Sequence, residues 1–205
     1  LAAGGTGGHL FPAQALAEAL IKRGAAVDLA TDVRTAHFQF PARKVHLIPS
    51  ATVRGRDPLA LARTASMLAL GTLKAWSMLG AARPAVVVGF GGYPTVPPLM
   101  AASWRGVPTV LHEQHGVMGR ANRLLASRAT AIATGFPTLA KLDPRLKDRI
   151  TFTGNPIRRE VIAAAATPYV AAEASGTFRL LVFGGSQGAR AMAELGVLGD
   201  VASVA

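Results

Sequence analysis

Gly4-Gly5-Thr6-Gly7-Gly8-His9 constrains the fold more than any other stretch, because it lies between the apolar stub Leu1-Ala2-Ala3 and an amphipathic pattern running from Ala13 to Ile21. It reads as a strand end, a tight turn and a helix N-terminus. Glycines let the backbone take positive φ and approach a ligand, while the N–H groups and positive dipole end of the next helix attract phosphate or diphosphate. Ala13, Leu16, Ala17, Leu20 and Ile21 form one helical stripe, Gly24 is a C-cap signal, and residues 25–30 (AAVDLA) make a short strand ending at Thr31-Asp32. Strand, glycine turn, helix and strand together are the opening unit of a parallel α/β sheet.

The same grammar recurs downstream. Residues 45–48 (VHLI) predict a third short strand, and residues 85–88 (AVVV) a central parallel strand covered on both faces. The second run feeds another glycine turn, Gly89-Phe90-Gly91-Gly92-Tyr93-Pro94, and then a helix from Pro97-Pro98 to Arg105. A strand from Thr109 to Leu111 delivers His112-Glu113-Gln114-His115 to its C-terminal end, the edge where open α/β sheets bind ligands. Residues 122–127 read as a short helix, 129–134 as a weak strand, and Gly154-Asn155-Pro156-Ile157-Arg158 as a turn without helical continuation. Residues 163–176 read as an Ala-rich flexible linker, and 178–183 (FRLLVF) as a strand opening a third glycine turn, Gly184 to Ala189. The expected organisation is a Rossmann-like domain over 1–158, then a linker and the start of a second such domain over 159–205. The opening strand is expected to be truncated, since neither Met nor a signal-type segment precedes it.

Charge narrows the partners. Between residues 33 and 142 thirteen Lys or Arg stand against two acids, so this stretch carries the whole net charge of +11 and is expected to face something anionic. Nucleic acid is not expected: aromatics are only 6 % and no stacking platform appears. The absence of cysteine excludes disulfide frameworks, Cys-zinc sites and thiol nucleophiles, and fits a cytoplasmic setting. From Asp57 to Arg83 an N-cap signal opens a helix with Leu, Met and Trp on more than one face, ringed by Arg54, Arg56, Arg63, Lys74 and Arg83. Two readings stay open for it, a buried helix or an interfacial patch against anionic lipid. Arg63 and Lys74 interrupt it too often for a membrane-crossing span.

Alone, the first glycine turn fits a dinucleotide fingerprint only in part, because Leu10 stands where the third glycine belongs; Asp32 keeps that alternative open as a ribose-binding acid. The combination is more specific. GGTGGHLFP (4–12), GFGGY (89–93), LHEQ (111–114), GNPIR (154–158) and GGSQGAR (184–190) resemble, in order, the MurG family of N-acetylglucosaminyltransferases. The family usually carries Asn after His-Glu-Gln, where this chain has His115, and a Gly-Pro pair where it has Pro97-Pro98.

The resemblance implies a GT-B fold, two Rossmann-like domains facing a cleft, and an inverting transfer needing no metal or other cofactor. The donor implied is UDP-GlcNAc, and the acceptor an undecaprenyl-diphosphate-linked muramyl-pentapeptide. It also implies peripheral attachment to the cytoplasmic side of the inner membrane, at an anionic surface. Such a reaction requires a base for the attacking hydroxyl and neutralisation of the departing diphosphate. His9 is the first candidate base and Glu113 the rival, although a helix-terminal His also serves simply to hydrogen-bond ligand or backbone. His112, one residue before Glu113 on a strand, points the other way and reads as a core histidine. Thr6, Gly7, Gly8, Asn122, Arg158 and Ser186 are expected on the donor side, and Gly91, Gly92, Tyr93 and Gln114 on the acceptor side. A second function class stays open, a membrane-surface acceptor-binding module that is inactive without a separate donor-binding domain.

Overall fold

Residues 1–3 are short, yet the sheet is joined through them. Ala2 N–H donates to Val88 O at 2.8 Å and Phe90 N–H to Ala2 O at 2.9 Å, while on the other side Ala30 N–H donates to Leu1 O at 2.8 Å and Ala3 N–H to Ala30 O at 3.2 Å. The stub thus lies between a pair formed by β1 (Asp28–Thr31) and β2 (Lys44–Leu47) and a four-stranded set in which β3 (Val87–Gly89), β4 (Thr109–Glu113), β5 (Ala131–Thr134) and β6 (Ile150–Phe152) follow one another. Every pairing is parallel. The described strands therefore end at one edge, which is where the motifs at 4–9, 89–93, 111–114 and 154–158 fall, while the expected third glycine turn at 184–189 and the expected strand 178–183 before it lie outside the described residues. This computed structural model describes residues 1–35, 37–52 and 57–168. Two compact units divide the chain, Leu1–Ile162 and Ala163–Ala205; the first carries all that follows, and the second is described only to residue 168.

Alternation along the stub assigns its side chains to two layers. Ala3 packs with Leu10, Ala13, Leu29 and Phe90 under helix α1 (Gly7–Lys22), while Ala2 and Ala30 belong to the larger core holding Ala75, Leu79, Val96 and Leu99. Those last residues come from α2 (Pro58–Ala82) and α3 (Val96–Trp104). Helix α1 starts earlier than expected, at Gly7 rather than near Ala13. Only Gly5 in that stretch has positive φ, at 84°, so the turn is complete at Gly5 and the chain is free to wind from Gly7 onward.

Helix α2 is buried along one face and exposed along the other. Asp57 caps it by accepting from Ala60 N–H at 3.0 Å, and Arg83 closes it in the left-handed region at φ 44°. Its buried face is made of small residues, Thr64, Gly71, Thr72 and Ala75, with Leu79, whereas Leu59, Met67, Leu70, Leu73 and Trp76 are exposed. The close approach centres on Gly71, where a β-carbon would strike the Pro49 carbonyl and stand 3.1 Å from Pro97 Cγ. Gly71→Ala is expected to destabilise the fold by roughly 2–3 kcal/mol, since the clash is with backbone; a shift of the urea midpoint measures it.

After β6 the expected uncontinued turn is instead followed at once by helix α5 (Arg159–Ala165), which takes in part of the predicted flexible linker. Its alanines are strong helix formers and Glu160 complements the dipole in the first turn, so local propensity decides this segment.

Candidate active site

The site is built where the first two glycine turns converge. Gly91 and Gly92 have φ of 87° and 75°, and they are bare because the His9 imidazole lies across them. A β-carbon on Gly91 would stand 3.3 Å from His9 Cδ2 and 3.4 Å from Asn122 Nδ2, and one on Gly92 would stand 3.4 Å from His9 Cε1 and 3.2 Å from Gly4 O. The first two glycine turns thus touch, with His9 between them.

His9 is the third residue of α1, half-buried, with Nδ1 3.1 Å from Thr6 Oγ1. Thr6 occupies the N-cap position without capping the helix through its side chain, which faces the imidazole instead. With Nδ1 carrying the hydrogen toward Thr6, Nε2 keeps a basic lone pair. Burial pushes the His9 pKa below the ordinary 6.5, the neighbouring His115 charge adds to this, and Glu113 and the Gly4 backbone oppose it. The ring is therefore neutral near pH 7, the state a base requires.

Glu113 is differently placed. It is 2 % exposed and both carboxylate oxygens are engaged. Oε1 accepts from His115 N–H at 3.1 Å with His115 Nδ1 also at 3.1 Å, and Oε2 accepts from Gly119 N–H at 2.9 Å and Asn122 Nδ2 at 2.8 Å. It pins the 113–119 loop to helix α4 (Arg120–Leu125) and orients Asn122. The other end of that carboxamide, Asn122 Oδ1, is buried with no hydrogen-bond partner among the described residues. A buried unpaired acceptor is costly and calls for a partner such as a water, an ion or a ligand group.

His112 lies in the core as alternation predicts. Its ring centroid is 5.4 Å from that of Phe90, Nε2 lies 3.1 Å from Gly154 O, and Nδ1 lies 3.1 Å from Gln114 Nε2. Burial lowers its pKa, against the pull of the Gly154 carbonyl and Glu113. Gln114, expected on the acceptor side, turns its carboxamide nitrogen inward to His112. Tyr93 is half-buried against the core and opens the 3-10 turn Tyr93–Thr95.

Arg158 reaches the start of α1 through an aromatic seat that sequence reading missed. Its guanidinium carbon sits 3.8 Å over the Phe11 ring, and Phe11 itself lies against Gly7, where a β-carbon would be 2.9 Å from Phe11 Cε2. The i, i+4 spacing of Gly7 and Phe11 signals that those two meet on one helical turn, but nothing local points from Phe11 to Arg158. Thr6, Gly7, Gly8, His9, Gly91, Gly92, Asn122 and Glu113 are thus gathered at one edge and Arg158 joins them through Phe11, while Ser186 lies outside the described residues. Asp32, the acid that kept a dinucleotide reading open, is buried, and its carboxylate is taken by Arg34 and Thr35 rather than held out for a ribose. Among the described residues no group of three His, Asp or Glu comes together as a metal site.

Residues 1–134 match the family model of the glycosyltransferase family 28 N-terminal domain. The chain is 58 % identical over 197 residues to the UDP-N-acetylglucosamine–N-acetylmuramyl-(pentapeptide) pyrophosphoryl-undecaprenol N-acetylglucosamine transferase of Rhodopseudomonas palustris, covering 95 % of this chain and 54 % of that protein. It is 53 % identical to the like-named transferase of a Bradyrhizobium species, again over 95 % of this chain and 54 % of the relative. The chain thus spans about half the length of these relatives. Among solved structures it is similar to Acinetobacter baumannii MurG, with TM-score 0.58 and 26 % identity over 78 % of this chain and 46 % of that one. The glycotransferase of kitacinnamycin shares the fold, with TM-score 0.51 and 18 % identity over 77 % of this chain and 51 % of that one.

Proposed function

The chain belongs to glycosyltransferase family 28, and from that premise we propose that it is the acceptor-side half of an inverting GT-B N-acetylglucosaminyltransferase. Residues 1–158 form the acceptor and membrane domain, and 159–205 the linker and start of the donor domain. The reaction is attack of the muramyl 4-hydroxyl of an undecaprenyl-diphospho-muramyl-pentapeptide on C1 of UDP-GlcNAc. The new O4–C1 bond forms as the bond from C1 to the phosphate oxygen breaks, UDP departs, and the configuration at C1 inverts.

His9 takes the hydroxyl proton on Nε2. What carries this assignment is the neutral imidazole held across Gly91 and Gly92 with Nδ1 at Thr6. Glu113 acts by positioning, since each of its oxygens already has two donors within 3.1 Å. The N–H groups of Gly7 and Gly8, unpaired within the helix by position, and the forked donors of Arg158 balance the diphosphate charge. Gly91, Gly92 and Tyr93 line the acceptor sugar. The test incubates the chain with labelled UDP-GlcNAc and a short-polyprenyl muramyl-pentapeptide diphosphate. With the donor-binding half of a full-length relative supplied alongside the chain, a labelled disaccharide product is expected; a thermal shift with NAD but none with UDP or UDP-GlcNAc would return the oxidoreductase alternative.

The exposed face of α2 supports a peripheral place on the cytoplasmic side of the inner membrane. Leu70, Leu73 and Trp76 are exposed there, Trp104 is exposed at the end of α3, and the Arg105 guanidinium sits 4.7 Å over the Trp76 ring. Among the described residues no helix is long and apolar enough to cross a membrane. Apolar side chains ringed by cations fit the headgroup boundary of an anionic leaflet. Leu70→Asp with Leu73→Asp is expected to lower cosedimentation with phosphatidylglycerol vesicles at least ~tenfold, because both burial and charge attraction are lost. The melting temperature should hold, since neither side chain is in the core; unchanged vesicle binding would remove α2 as the contact.

A further inference from the structure

Resting on the transferase reading above, we propose that Arg34 is a diphosphate-binding residue of this site, set in place by Asp32 as an arm over the bare backbone of Gly5. Arg34 lies in the 3-10 turn Val33–Thr35, which leaves β1 at the ligand edge. Its Nε donates to Asp32 Oδ2 at 2.7 Å, and its Nη2 pairs with the same oxygen. The other Asp32 oxygen lies 3.2 Å from Thr35 Oγ1, which is itself 2.6 Å from Thr31 Oγ1. The anchor is therefore fixed on both sides.

A buried carboxylate needs a counter-charge, and Arg34 supplies it. That need does not account for where the guanidinium ends. The Asp32 side chain is 5 % exposed while that of Arg34 is 46 % exposed. Nη2 and Cζ of Arg34 lie 3.4 and 3.9 Å from where a β-carbon on Gly5 would be, at a residue whose φ of 84° favours glycine. Nη1 makes no hydrogen bond among the described residues. The arm therefore presents unused, planar, forked donors beside the open first turn of the 16-residue helix α1, whose N-cap side chain is turned away to His9.

Arg158, seated on Phe11 beside Gly7, approaches the same helix start from the β6 side. The buried Asn122 Oδ1, without a partner among the described residues, lies on the same edge and is an acceptor that a bound water, ion or ligand group would satisfy. Two guanidinium forks and successive backbone N–H groups match a ligand with several anionic oxygens on adjacent phosphorus atoms better than a single carboxylate. A diphosphate ester is that chemistry. It is offered by the sugar nucleotide and by the polyprenyl carrier alike.

The experiment measures, by calorimetry on the full chain, affinity for inorganic pyrophosphate, UDP and geranyl diphosphate, alongside GlcNAc transfer. Arg34→Ala leaves the Asp32 charge buried alone, so the double variant Asp32→Asn with Arg34→Ala guards against misfolding, and Arg34→Lys keeps the charge without the fork. Pyrophosphate affinity is expected to fall at least ~tenfold in both alanine variants and to recover only in part in Arg34→Lys. A loss for UDP alone assigns the arm to the nucleotide; a loss for geranyl diphosphate alone assigns it to the carrier. A folded double variant that binds all three probes like the wild type overturns the proposal, as does a wild-type chain that binds none. Arg34-dependent binding without GlcNAc transfer, even with the donor-binding half of a full-length relative supplied, would sink the transferase reading and leave this one standing. Transfer with unchanged acceptor KM and unchanged affinities in the variants would do the reverse.

Discussion

In the proposed transferase, complemented by its donor-binding half, replacing His9 with Ala is expected to lower GlcNAc transfer by about three orders of magnitude, the range of a lost general base. The protein should stay folded, because the imidazole spans a turn rather than filling the core. The pH profile separates a base from a mere ligand contact. Burial, aided by His115, holds the His9 pKa below 6.5, so the acid limb of kcat/KM should fall below that value in the parent and vanish in His9→Ala. Near-normal turnover in the variant would refute the assignment. Stability carries the same sign. His9 and His112 are both depressed by burial, so the unfolded chain takes up protons near pH 6.5 where the native chain does not. Their contribution is complete above pH 6.5 and is lost as pH falls through 6.5 toward the lowered native values, and melting temperature should drop over that window.

Glu113→Ala is the second large effect and works through structure. It leaves the N–H groups of His115 and Gly119 and the Asn122 amide around a void, which costs roughly 2–4 kcal/mol. Glu113→Gln keeps the volume but turns one acceptor into a donor facing donors, and should cost about 1–2 kcal/mol. Transfer should fall in both variants in step with the urea midpoint, since Asn122 loses its anchor beside Gly91. A Glu113→Gln protein with an unchanged midpoint and abolished kcat would instead make Glu113 the chemical base.

Much of this was legible locally. Alternation along 109–113 sends His112 and Glu113 to opposite faces, and the structure has one in the core with Phe90 and the other on the 113–119 loop. The first two glycine turns were legible as a pair because parallel strands carry each strand-to-helix turn to one edge. What was not legible depends on long-range closure. Nothing adjacent to Glu113 in sequence indicates that Gly119 and Asn122 fold back to saturate it, so a buried acid at the ligand edge read equally well as a base. Arg158 is expected on the donor side from its motif with nothing in sequence pointing to Phe11 beneath it, and Asp32 keeps a ribose alternative open that its bond to Arg34 closes. The onset of α1 was misjudged because glycine is a poor helix former, yet only Gly5 uses the freedom that makes it so.

The three-residue stub between β1 and β3 has a consequence for assembly. Its neighbours on either flank, Ala30 and Gly89, emerge from the ribosome well after it, so the middle of the sheet cannot zip until residues far along the chain arrive, and this step closes the longest loop of any strand pairing among the described residues. The glycine turn hangs from that same seam. An oxyanion ligand bound there would clamp the two halves of the sheet together, and resistance to unfolding should rise with its concentration.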